Sequence, residues 1–391
     1  MTEPRLVYCA NNRLPTEKAH GLQIVQMCEA LAGAGYAVTL VAPNRRNTPE
    51  MRAVPSLWTY YGVVQNFEFT RLLSVDLFPL FSRYHVAFLT QTVSFMLSLL
   101  IWLVFRRVDV FYTRDVFLGF VLALVRPRTP LIYEVHQRHA SRMGQRLQAF
   151  TVRRAHTVTI TGHLANDMRA LGADRVLVAH DGYRAARFAK MPPQAEARDQ
   201  IGWPRDAFIA GWVGRLHLMG IDKGVGLLVD ALAQTEDACL GLVGGPDDMV
   251  ETLRQRWIAA GLDPARFLAA GQVPPDRVPL YLSACDICTM PHPWTGHFAY
   301  YTSPIKLFEY MASGRALVAS DLPGFAEVLK DDTNALLVPP GDVAALVGAI
   351  RRLRADEPLR QRLGAQAQAD ARQYTWAARA AQIRAFVEAQ S

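Results

Sequence analysis

A chain of 391 residues is longer than one ordinary hydrophobic core supports, so two domains are expected. With 51% hydrophobic and 20% charged residues it has ample apolar surface to offset chain entropy, which excludes a disordered or collagen-like polymer. Forty-two Lys and Arg against 35 Asp and Glu leave a formal charge of +7, which suits an anionic ligand or an anionic membrane surface. The basic residues are scattered and no aromatic-basic run lines a groove, so nucleic acid is not expected as a partner.

In chain order, Leu6 to Ala10 reads as a strand, Gly21 to Leu31 repeats Ile24, Met27, Cys28 and Leu31 at helical spacing, and Ala37 to Ala42 reads as a second strand. Further strand-like runs follow at Val108 to Thr113, Leu131 to Val135, Thr157 to Ile160 and Val176 to Ala179. Strands alternating with helices point to a mostly parallel sheet of Rossmann type. A polar, proline-bearing stretch from Ala189 to Arg205 reads as a linker. Beyond it the rhythm restarts, with strands at Phe208 to Val213, Cys239 to Val243, Asp286 to Met290, Arg315 to Ser320 and Ala335 to Val338, and a helix at Gly224 to Leu232. The expected fold is therefore α/β, two Rossmann-like doubly wound domains facing across a cleft, residues 1–190 and 191–375.

The stretch from Tyr84 to Phe105 contains no Asp, Glu, Lys or Arg and is long enough to cross a bilayer. Thr90, Gln91, Thr92, Ser94 and Ser98 interrupt it, it lies between strands of one expected sheet, and Arg106 and Arg107 lead straight into the next strand. A helix packed on the sheet with one face open to lipid fits better than a span. The five cysteines are Cys9, Cys28, Cys239, Cys285 and Cys288, an odd number after a start without the marks of a secretory signal, which fits a reducing cytoplasm. Cys285 and Cys288 form a C-x-x-C without a second pair, and SACDICTMP reads as buried strand rather than as a zinc or redox site.

Two stretches carry the chemistry. In IAGWVGRLHLMGIDKGVGLLVDAL, Gly214 turns the chain after a strand, Arg215 follows, and eight residues later Lys223-Gly224 opens a helix. Arginine and lysine beside a helix start can neutralise a diphosphate, helped by backbone N–H groups and the helix dipole. A solvated basic loop is the plainer reading. In YTSPIKLFEYMASG, Ser303 and Pro304 open a helix that Gly314 stops, with Ile305, Phe308 and Met311 inward and Glu309 beside them. A carboxylate there can accept two hydrogen bonds from a ribose diol; a surface glutamate is the alternative. His136 after Glu134 reads as an ion pair, His180-Asp181 as an interdomain turn, and Asp247-Asp248 as a turn and helix cap.

Together GRL…DKG (Gly214 to Gly224), SPIKLFEYMASG (Ser303 to Gly314) and ALLVPPGD (Ala335 to Asp342) resemble the family 4 retaining glycosyltransferases of the GT-B architecture. RLPTEKAHGLQIVQMCEAL, FYTRD, YEVH, AHDGY and YTW match more weakly, and the resemblance covers nearly the whole chain. It implies a nucleotide diphosphate sugar as donor, a glycan or lipid-linked hydroxyl acceptor, and neither metal nor cofactor. Arg215 and Lys223 would grip the donor diphosphate, with His136 facing the donor sugar as the third catalytic residue. Glu309 would hold the ribose, Gly21, in the loop after the first strand, would let backbone approach the phosphates, and Gly214 and the GQV turn ending at Val273 would border the nucleotide. The helix 376–391 would cross back onto the first domain. Where the family commonly carries the first of two glutamates, this chain has Tyr301; with Thr302, Ser303 and Lys306 it would reshape the sugar end of the site. The resemblance implies transfer in cell-surface glycan or glycolipid synthesis, in the cytoplasm or at the inner membrane face. A non-catalytic nucleotide-sugar-binding or partner subunit and a GT-B epimerase are the rival readings.

Overall fold

The computed structural model describes residues 3–77, 84–218 and 220–390. The chain divides into two compact units, Met1–His180 with Trp376–Ser391, and Asp181–Thr375. The division falls between His180 and Asp181, ahead of the expected linker. Most of that stretch is instead structural. Gln194–Ile201 is a helix that buries Ala197 and Arg198; Arg198 donates to Ala284 O at 2.9 Å and pairs with Asp286 at 2.7 Å. Its prolines and charges read as linker because the buried arginine finds its partners about ninety residues away in sequence.

The first unit is a seven-stranded parallel sheet, β1 (Arg5–Cys9), β2 (Ala37–Pro43), β3 (Glu68–Leu72), β4 (Val110–Thr113), β5 (Leu131–Val135), β6 (His156–Thr159) and β7 (Val176–Val178), in the order β3-β2-β1-β4-β5-β6-β7. The central strands β4 and β5 are buried along their whole length, as helices on both faces of a parallel sheet require. Tyr8 pairs in register with Leu40 on one side and Tyr112 on the other, and the two tyrosine rings stack with centroids 4.6 Å apart. The strand order reverses between β1 and β4, which opens a crevice at their carboxyl ends.

The helix Tyr84–Val104 packs on this sheet through Ala87, Gln91, Thr92, Phe95, Leu99 and Leu103. Gln91 donates to Asn11 Oδ1 (3.0 Å) and Asn11 donates to Thr92 Oγ1 (3.1 Å), so two of the polar residues that interrupt the apolar run face inward. Val86, Leu89, Val93, Leu97, Ile101 and Val104 form the opposite, exposed face. Its stretch Val86–Val104 is long and apolar enough to cross a membrane. The helix Trp376–Glu388 also belongs to this unit, packing on the helix Ala19–Gly33.

The second unit begins with β8 (Phe208–Val213), followed by a short antiparallel hairpin, β9 (His217–Leu218) and β10 (Ile221–Asp222). β11 (Ala238–Val243), β12 (Phe267–Gly271), β13 (Ile287–Met290), β14 (Ala316–Ser320) and β15 (Leu336–Val338) complete a six-stranded parallel sheet, ordered β12-β11-β8-β13-β14-β15. The reversal lies between β8 and β13. Cys288 is buried within β13, whereas Cys285 ends the helix Val278–Ala284, so the C-x-x-C spans a helix-to-strand turn rather than one strand. Burial raises both thiols, and both are free. Asp247 and Asp248 occupy the first helical turn behind Pro246 and make no capping bond.

Candidate functional site

In the second unit the carboxyl ends of β8, β11 and β13 come together at the reversal. Gly214 follows β8 with φ +152° and donates its N–H to Val243 O (2.8 Å); a side chain on Gly244 would overlap the Gly214 carbonyl. The β9–β10 hairpin then folds back, and Lys223 N–H donates to Leu216 O (3.0 Å). That hairpin explains how two cations eight residues apart reach one place. Gly224 adopts φ +86°, caps the helix Val225–Ala233, and lies so close to Pro291 that a Cβ would overlap its carbonyl. Glycine is required there on both counts.

The helix Ile305–Ala312 is tied to the same strand end by Tyr310, whose hydroxyl accepts from Val213 N (2.6 Å) and donates to Val213 O (2.9 Å). The helix starts one residue later than the sequence suggests, with Pro304 at the cap. Ser303 is not the cap: its hydroxyl accepts from Asp181 N (3.0 Å). Gly314 takes φ +70° just past the helix end, as a C-terminal stop requires. Glu309 is 5% exposed, which rules out a surface glutamate, and Lys306 Nζ lies 2.6 Å from its carboxylate. Lys306 also borders Gly214.

The field at this point is strongly positive. Burial, then Lys306, then Arg215 hold the Lys223 ammonium down to about 8, while Arg215 itself is exposed. Sequence reasoning missed two neighbours. His292, directly beyond β13, is 3% exposed, and burial followed by Lys223 lowers it to about 3, so it is neutral. Its ring sits against Phe298 (5.0 Å), Phe325 (5.4 Å) and Trp212 (5.6 Å). His297, on the short helix Gly296–Tyr300, is likewise lowered by burial and Lys223. The signal was available: MPHPWTGHF leaves a strand at the point where the sheet order reverses. Tyr301 ends that short helix, donating its N–H to His297 O (2.9 Å), with Thr302 next to it, partly buried. Gly271 ends β12 with φ +63° and its carbonyl accepts from Gly244 N (2.7 Å), which sets the turn leading to the half-buried Val273 beside the Gly214 end.

The first unit has a pocket of its own at the carboxyl ends of β1, β4 and β5, lined among others by Asn11, His20, Arg114, Asp115 and His136. His136 Nε2 lies 2.5 Å from Glu134, so the pairing read from the sequence is present as a hydrogen-bonded contact and the imidazole still borders the pocket. Burial by itself would raise the Glu134 carboxyl; Arg379 and His136 overcome that and hold it well below the usual range. Arg379 comes from the helix Trp376–Glu388 and lies 3.3 Å from Glu134, with Tyr112 hydroxyl donating to the same carboxylate. Arg379 also donates to His180 O (2.9 Å). Gly21 is not in a loop: it lies in the first turn of the helix Ala19–Gly33, where a Cβ would overlap the Tyr61 hydroxyl. Tyr61 in turn clamps Thr16, accepting from its N–H (2.7 Å) and donating to its carbonyl (2.8 Å).

Residues 21–187 match the model of glycosyltransferase family 4 and residues 207–356 that of the glycosyl transferases group 1. The chain belongs to the family 4 glycosyltransferases. It is 34% identical over 221 residues to a phosphatidyl-myo-inositol mannosyltransferase of Mycobacterium leprae, a match covering 55% of this chain and 54% of the relative. The matched stretch thus spans about half the length of that relative. Over 99% of both chains the fold is similar to that of sucrose-phosphate synthase from Thermosynechococcus elongatus, TM-score 0.77 at 21% identity. It is also similar to Anabaena HepE solved with UDP, TM-score 0.72 at 20% identity, over 98% of this chain and 100% of that one. These likenesses agree with two parallel-sheet α/β domains of the GT-B kind.

Proposed function

We propose that the protein is a retaining glycosyltransferase that moves a sugar from a nucleoside diphosphate donor to a hydroxyl acceptor, in the synthesis of a glycan or glycolipid. The observation that carries this reading is the meeting of Arg215, Lys223 and Lys306 at the strand reversal of the second unit, with Lys306 paired to a buried Glu309. Three cations in a partly dry site, next to the start of the helix Val225–Ala233, match the charge of a departing diphosphate without a metal ion. Glu309 is the acceptor for a ribose diol, and its Lys306 partner links that subsite to the phosphates. The likeness to a protein holding UDP supports the nucleotide assignment, and the mannosyltransferase relative supports a glycolipid acceptor.

In the step, the acceptor oxygen bonds to the anomeric carbon as the bond to the diphosphate oxygen breaks. The electron pair leaves on that oxygen, which takes the acceptor's proton. Catalysis is then positioning plus charge stabilisation. His136, held by Glu134 at the pocket of the first unit, is the third catalytic residue of this reading. Peripheral attachment at the cytoplasmic face of a membrane is part of this reading, supported by the exposed apolar face of the helix Tyr84–Val104. Tyr301 in place of a carboxylate is the one feature that favours a non-catalytic binding role.

The test is acceptor-dependent release of UDP from UDP-glucose, with the product's anomeric configuration read by NMR. Arg215→Ala is expected to lose most turnover while keeping its fold. Near-normal turnover in that variant refutes the reading. Release of nucleotide or a change of the sugar itself without any acceptor would point to hydrolysis or epimerisation instead.

A further inference from the structure

A second pocket of the first unit adjoins the one that His136 borders, sharing Asn11, Asn12, His20 and Phe88 with it. Three separate segments bring charge to it: Arg13 and Lys18 from the loop after β1, Arg45 and Arg46 from the end of β2, and Arg52 from the short helix Pro49–Arg52. Among the described residues its lining counts five cations, and Asp76 is the single carboxylate. Asp76 is already engaged, accepting from Arg46 N (2.9 Å) and lying 3.8 Å from Arg45. Arg13 pairs with Glu17 at 3.2 Å within the loop after β1, an exposed pair of small worth that an anion can displace.

Neutral sugar hydroxyls are ordinarily met by carboxylates and amides, and they do not call for five positive charges around one pocket. Guanidinium groups converging from several directions match a phosphate, whose oxygens accept paired N–H bonds. The neighbouring His20 shows the same field. Burial, then Arg114 and Lys18, lower it to about 4, so it is neutral and adds no charge of its own.

Resting on the glycosyltransferase reading, we propose that this pocket binds a phosphate group carried by the acceptor, so that the acceptor is a phosphorylated molecule whose hydroxyl reaches the adjoining pocket beside His136. The phosphate belongs either to a lipid headgroup or to a soluble phosphorylated acceptor. Phe88, on the helix Tyr84–Val104, borders both pockets, and the exposed Leu89 is its immediate neighbour, so a lipid tail would have an apolar surface to follow from the head.

The test titrates inorganic pyrophosphate by calorimetry into protein already saturated with UDP, comparing wild type with Arg46→Gln/Arg52→Gln. Both side chains are exposed, so the fold should tolerate the change. The wild type is expected to bind pyrophosphate, and the variant to bind it at least about tenfold more weakly, with UDP affinity unchanged. Absence of pyrophosphate binding, or equal affinity in the variant, overturns the proposal. A second arm sediments the protein with phosphatidylcholine vesicles with and without phosphatidic acid. Capture that needs phosphatidic acid and is lost in the variant assigns the phosphate to a lipid headgroup. A pyrophosphate response without that capture assigns it to a soluble acceptor. UDP binding is measured first in the same cell. Its failure, if GDP, dTDP and ADP fail as well, refutes the donor reading alone, and the pyrophosphate titration, repeated in an Arg215→Ala background, still judges this pocket.

Discussion

Lys223 gives the donor site a pH dependence that can be worked out in advance. Its ammonium titrates at about 8 in the free protein, against an ordinary 10.5, because it is half-buried next to Lys306 and Arg215. At pH 7 it is about nine-tenths protonated and at pH 9 about one-tenth. The terminal phosphate of UDP is already ionised across that range, with a second pKa near 6. A bound diphosphate restores the lysine's charge, so binding at pH 9 must first recover the proton. The Kd for UDP is therefore expected to weaken about tenfold, about 1.4 kcal/mol, between pH 7 and pH 9. Calorimetry in buffers of different ionisation heat would show proton uptake at the upper end. Lys223→Arg, which does not titrate in this window, should bind with a flat profile. The sign for stability is opposite. The folded pKa is lowered, so the unfolded chain holds more protons between about pH 8 and 10.5, and the free protein gains stability as pH rises through that window. Below it, the buried charge costs up to about 3 kcal/mol, and Lys223→Met should raise the melting temperature while losing UDP. Equal Kd values at pH 7 and pH 9 in the wild type, or the same slope in Lys223→Arg, would refute this reasoning.

Gly224→Ala places a Cβ against the Pro291 carbonyl at φ +86°, so it should cost about 1–3 kcal/mol in denaturant unfolding and weaken UDP binding by displacing Lys223. An unchanged midpoint would mean that the loop relaxes freely. Arg379→Ala removes one buried partner of the Glu134 carboxylate, 4% exposed at its side chain, and leaves His136, Arg114 and Tyr112 against it, so it should destabilise the fold by about 1.5–3 kcal/mol. Adding Glu134→Gln should return part of that loss; an additive double variant would show that packing, not charge, is what Arg379 supplies.

The central strands were legible because a parallel sheet covered on both faces spells out continuous apolar runs, as VFYT in β4 and ACLGLV in β11 do. Two strands that escaped, β3 (EFTRL) and β12 (FLAAG), each lie at one edge of their sheet. Half exposed, they need no such run. Arg215, Lys223 and Glu309 could be picked out by type and spacing, yet their meeting depends on the β9–β10 hairpin and on Tyr310 bonding to Val213, neither of which leaves a periodic trace. Arg379 was invisible for a related reason. Its partner lies 245 positions away, and nothing local distinguishes it from Arg384 on the same helix. Gly21 shows the reverse error: a glycine after the first strand suggested a phosphate loop, whereas the structure uses its small size to admit Tyr61.

The most direct measurement is calorimetric binding of UDP, GDP, dTDP and ADP to the wild type and to Arg215→Ala. One of the four is expected to bind the wild type, with the affinity falling at least about tenfold in the variant. Binding of none, or equal affinity in both proteins, would contradict a donor site built on Arg215, Lys223 and Glu309.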